Sequence, residues 1–136
     1  MRSLTRAIFL VTVLIAGCGI VDEITPRNYV GLVVAYTTPL KKEIAKSLIM
    51  NSLEAVPQAG ALQLPHPEKL VPLKFDFGWV TRSGAIVVQS KDYSVIVLQE
   101  PTVVQGAVRW SCIVHPTEAK PNLCGSEYQD SLLKDK

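Results

Sequence analysis

The sequence predicts an α+β fold: an N-terminal amphipathic helix packed on an antiparallel sheet of about four strands, followed by a loop between two C-terminal cysteines. Three observations predict it. Apolar residues recur at helical spacing beyond Thr38-Pro39, residues 73–80 alternate apolar and polar, and β-branched runs at 85–88 and 93–98 precede a second alternation ending at Cys112.

Thr38 followed by Pro39 is a favourable helix start, because the threonine oxygen caps free amides and proline lacks an N–H where none is needed. From there Leu40, Ile44, Leu48 and Ala55 fall on one side with Ala45, Ile49 and Val56 beside them, while Lys42, Glu43, Lys46 and Glu54 fall opposite. This predicts an amphipathic helix of about four turns, closed by Pro57. The preceding apolar run, residues 29–36, fits either a buried helix segment or a strand, because periodicity does not separate the two. Residues 57–72 contain Pro57, Gly60, Pro65, Pro67 and Pro72 and read as a connecting loop.

In the run 73–80, Leu73, Phe75, Phe77 and Trp79 share one face, predicting a half-buried strand whose aromatic side packs on the helix. Residues 85–88 and 93–98, separated by Gln89, Ser90, Lys91 and Asp92, form an antiparallel hairpin. Val108, Trp110 and Cys112 alternate with Arg109 and Ser111, which places Cys112 on the inward face of a further strand. Residues 113–123, polar and holding Pro116 and Pro121, have no core of their own. A bridge from Cys112 to Cys124 would close them into a rigid surface loop, worth roughly 3 kcal/mol through the freedom it removes from the unfolded chain. The last residues, GSEYQDSLLKDK, read as a final helical turn or a frayed end.

The order Gly84-Ala85-Ile86-Val87-Val88, then Val95-Ile96-Val97-Leu98 closing on Pro101, then Trp110-Ser111-Cys112, then Lys120-Pro121-Asn122-Leu123-Cys124 resembles the C-terminal half of type IV pilins. The resemblance covers about the last third of the chain. It implies a pilin-like head domain over residues 29–128, a helix rather than a strand at 29–36, a variable exposed link between helix and sheet, and a tail at 129–136.

The leader departs from that family. Residues 1–17 carry Arg2 and Arg6, an apolar run from Ala7 to Ala16 and small residues at the end, the pattern of an export signal. The run is shorter than the roughly 20 residues that span a bilayer. Leu14-Ile15-Ala16-Gly17-Cys18 resembles the lipobox of bacterial lipoproteins, which implies lipidation of Cys18 and a tether over residues 18–28. Acyl chains, palmitate among them, contribute about 0.8 kcal/mol per buried methylene and would hold the protein at a membrane. Gly19 rather than Asp after that cysteine favours the outer membrane if the host resembles enteric bacteria. With Cys18 lipidated, Cys112 and Cys124 remain as a pair in a compartment where disulfides persist. A true pilin has a long apolar helix that fills the filament core; here a lipobox stands in its place, so polymerisation in the usual way is not expected.

The chain has 136 residues, enough for one small domain. With Arg2 and Arg6 set aside, the 14 basic residues fall to 12 and equal the 12 acidic ones, so no basic stripe recommends nucleic acid. His66 lies between two prolines and His115 precedes Pro116; neither has the spacing of a metal site or of a nucleophile and base. Asp76 and Glu100 are lone carboxylates. Neither an enzyme, a metal, a cofactor nor a small-molecule substrate is expected. Trp110 is expected at the base of the loop, where the exposed Glu118, Lys120 and Asn122 are candidates for partner contact. The resemblances imply a lipid-anchored envelope protein, bound to the membrane through Cys18 and to pilin subunits or pilus machinery through protein contact. Its roles would lie in type IV pilus or related secretion or uptake assembly, in adhesion or in regulation. The alternatives are a pilin-mimicking phage or plasmid exclusion factor and a lipid-anchored adhesin.

Overall fold

The computed structural model describes residues 23–51, 53–64, 71–125 and 127–129. One helix, α1 (Pro26–Met50), lies on one face of a six-stranded antiparallel sheet. Its strands are β1 (Gly60–Ala61), β2 (Phe77–Val80), β3 (Ile86–Ser90), β4 (Val95–Val104), β5 (Ala107–His115) and β6 (Glu127–Gln129), each paired with the next. The sheet is thus a meander with two strands more than expected, short β1 and β6 at its edges. β6 pairs with β5 where a helical turn or frayed end was expected.

The helix starts twelve residues before Thr38, and the reason is legible in the chain: Thr25-Pro26 repeats the Thr38-Pro39 signal. The Asn28 amide donates to Thr25 Oγ1 at 3.1 Å, and Pro26 occupies the first turn. The tether expected to reach residue 28 is therefore partly helix. Tyr29, Val30, Val33, Val34, Thr37, Lys41, Ile44, Ala45 and Leu48 form one buried stripe running through both halves. Pro39 sits exposed inside the helix. In the turn before it, the Thr37 and Thr38 hydroxyls donate to the carbonyls of Val33 and Val34, each at 2.8 Å. The helix ends at Met50 rather than near Pro57. Asn51 caps it by donating to the Ser47 carbonyl at 2.9 Å, and Val56, 3% exposed, leaves the helical path to donate its N–H to the Arg82 carbonyl at 3.0 Å.

The face of the sheet toward α1 is built of cross-strand rows. Gly78, Val88, Val97 and Val114 form one, and Val80, Ile86, Gln99 and Cys112 the next. Val108 and Trp110 continue the inward side of β5, as the alternation predicts. The expected aromatic strand at 73–80 is not borne out. Only residues 77–80 pair, and Val80 is buried while Phe77 and Trp79 are 48% and 45% exposed. Gly78 explains the inversion: a Cβ there would lie 2.6 Å from the Phe75 ring and 2.8 Å from Leu62 Cβ. Phe75 and Leu62 fill the inward position that glycine leaves empty, so the chain crosses over between Phe75 and Phe77.

β4 runs past Pro101 to Val104 and returns through Gln105 and Gly106, both at positive φ (51° and 77°), the geometry of a two-residue hairpin turn. Proline is tolerated because β3 begins at Ile86, opposite Gln99, so Pro101 has no β3 partner to lose. Gly84, at φ 89°, forms the turn between β2 and β3, where a Cβ would stand 2.6 Å from Ile44 Cγ2. Gly84→Ala thus meets both a left-handed backbone and the helix, and a loss of about 2 kcal/mol or more is expected in denaturant unfolding.

Candidate functional site

The loop after β5 gathers the residues singled out for contact. Cys112 and Cys124 are bonded, with Cα atoms 5.4 Å apart. Between them Thr117–Ala119 forms one 3-10 turn, with the Ala119 and Lys120 amides donating to the Pro116 and Thr117 carbonyls, both at 3.1 Å. Ala119 and Cys124 are buried, whereas Glu118, Lys120 and Asn122 are exposed and Leu123 is half-exposed. A Cβ on Gly31 would be 3.7 Å from Leu123 Cδ2, so the loop lies against the first half of α1. One anion, one cation, one amide and one apolar side chain thus share a cross-linked surface, a composition suited to recognition.

Beneath it the helix and sheet enclose polar groups. Gln99 donates to Thr37 Oγ1 at 2.8 Å, and Thr37 passes its own hydrogen to Val33. Lys41, 1% exposed, places Nζ 5.7 Å from the centroid of the Trp110 ring, and both residues make further interactions. Trp110 is fully inside, behind the loop rather than in it. Sequence reasoning missed Thr37, Lys41 and Gln99. The signal for Lys41 was its place on the stripe, four residues after Thr37 and three before Ile44.

At the other end, the Tyr29 and Tyr36 hydroxyls donate to the carbonyls of Lys74 and Val71, holding residues 71–75 alongside α1. A cleft of about 640 Å³ lies between them, lined by Leu32, Val71, Leu73, Phe75 and Tyr93 among others. Tyr29 stacks on Tyr93 with ring centroids 4.4 Å apart. Burial raises its hydroxyl above the ordinary tyrosine range, with the negative charge of Asp76 adding to this and a hydrogen bond with Ser90 opposing it.

No family model matches the chain, and no curated protein or solved structure matches it either. Cys18 and His66 lie outside the described residues. His115 is exposed at the end of β5, and Asp76, a lone carboxylate in the sequence, accepts the Lys91 amide at 2.6 Å and so ties the β3–β4 turn to the residue before β2. Among the described residues no three His, Cys, Asp or Glu side chains converge on a metal position. Among them too, no helix is long and apolar enough to cross a membrane.

Two outcomes follow. Cys112→Ser is expected to lower stability by about 3 kcal/mol, measured by unfolding under non-reducing conditions, and an unchanged melting temperature would contradict it. Because the folded Tyr29 holds its proton beyond the unfolded value near 10, its contribution is complete below that pH and is lost as pH rises through the folded value. Tyr29→Phe is expected to flatten the fall of stability with pH above about 10, read from melting temperatures across an alkaline series.

Proposed function

We propose that this chain is a lipid-anchored, pilin-like protein of the bacterial cell envelope, acting through protein contact in type IV pilus or related secretion or uptake assembly. The observation that carries the reading is the pairing of cysteines. Two of the three are joined to each other, so Cys18 is the one left over, and it stands directly after an export-type leader in a lipobox-like setting. A leftover thiol is a liability in an oxidising compartment; a lipid on its sulfur removes the liability and supplies an anchor.

The loop supports the second half of the reading. Its backbone is cross-linked and turned on itself, so Glu118, Lys120 and Asn122 lose little freedom on contact, which favours binding by a surface formed in advance. Outer-membrane placement follows from Gly19 on the same lipobox reading, with adhesion or regulation as further uses of an anchored head.

The test is the intact mass of the protein extracted from membranes, before and after reduction. A chain starting at Cys18 with added acyl groups, gaining two hydrogens on reduction, is expected. A mass without acyl groups would overturn the anchor. Deleting the gene is expected to reduce pilus-dependent motility; gain of phage sensitivity with motility intact would instead assign the protein to exclusion.

A further inference from the structure

The cleft between the first half of α1 and residues 71–75 has mainly apolar walls, formed by Ile24, Leu32, Val71, Leu73 and Phe75 with the tyrosine rings. Ile24, Leu32 and Val71 are 44%, 39% and 77% exposed, so these walls hold apolar surface in water. Residues 71–75 belong to no strand and take the Tyr29 and Tyr36 hydroxyls on their carbonyls. Both hydroxyls are thereby spent, whereas a site for a polar small molecule relies on a few free groups of that kind to orient it.

We propose that this cleft takes one acyl chain carried on Cys18 of the same molecule. The proposal rests on the lipid-anchor reading and adds where part of that lipid goes. Cys18 stands six residues before Ile24, and six extended residues reach about 20 Å. The chain passes from Ile24, itself a cleft wall, directly into α1, and from Pro26 to Tyr36 the helix runs about 15 Å along the cleft. A long, narrow apolar space of this kind suits an acyl chain, which needs no hydrogen bond. Charge separates this occupant from a free fatty acid. The carboxylates of Asp76 and Asp92 line the cleft against the ammonium of Lys74, so a free carboxylate is repelled, while an acyl group linked to Cys18 brings no charge.

The size of the space sets how much lipid it takes. At about 640 Å³ it lies within the roughly 300–1,000 Å³ of sites that enclose one small organic molecule, so the other acyl chains stay in the bilayer. A single chain alone holds a protein at a membrane only marginally, so a chain drawn into the head loosens the anchor and its return to the bilayer tightens it.

The test grows cells making the full chain on a fatty acid with a photo-reactive tail, which enters the lipid of Cys18, and irradiates them. The expected product has the mass of one acylated chain, its acyl tail joined to peptides holding Leu32 or Leu73. Leu32→Glu, with disulfide and melting temperature checked to show that the chain folds, is expected to reduce that product by about tenfold or more. Met50→Glu, at a position 83% exposed at the far end of α1, is expected to leave it unchanged. An acylated chain whose tail joins only other lipids, or a product untouched by Leu32→Glu, would overturn the cleft while the anchor stands. An intact mass without acyl groups would overturn both.

Discussion

The hydrogen bond from the Gln99 amide to the Thr37 hydroxyl fixes how the helix lies on the sheet. Both residues are buried, at 1% and 0% exposure, in a mostly apolar interface, and a buried amide or hydroxyl without a partner is costly. Sliding α1 by one turn would keep its valines against valines but separate this pair, so the polar contact supplies the register that hydrophobic burial leaves loose. Lys41 and Trp110 strengthen the same constraint one turn further along, the lysine cation facing the ring. Gly84 completes it by letting Ile44 approach the turn between β2 and β3.

That arrangement explains which parts of the fold were legible in the chain. The hairpin of β3 and β4 is legible from its β-branched runs and the polar break between them, and the inward side of β5 from the alternation of Val108, Trp110 and Cys112 with Arg109 and Ser111. The helix boundaries did not follow. Two Thr-Pro pairs carry the same capping signal, and only the packing of Tyr29, Val30 and Val33 on the sheet selects the first. At 73–80 the pattern misled for a local reason: Gly78 lets Phe75 occupy the inward place, turning the two later aromatics outward. β1 and β6, at two and three residues, were too short to announce themselves and exist through pairing with their neighbours.

The candidate site divides in the same way. Cysteine counting made the bond between Cys112 and Cys124 readable, and loop composition made Glu118, Lys120 and Asn122 readable as exposed. The apolar band on the outer face, with Trp79, Val87, Leu98 and Ile113 in one row, was not readable, since it joins single residues from four strands and exists only once the register is set. The loop and the band are also separate surfaces: β5 sends Cys112 inward to the loop's bridge and Ile113 outward to the band.

The two tryptophans divide between these environments. Trp110 is sealed behind the helix at 1% exposure, while Trp79 stands on the opposite side of the sheet at 45%. The chain thereby carries two intrinsic emitters of different polarity, a blue component set by the integrity of the core and a red one set by whatever covers the outer face. Loss of packing and masking of the surface would move its fluorescence in opposite directions.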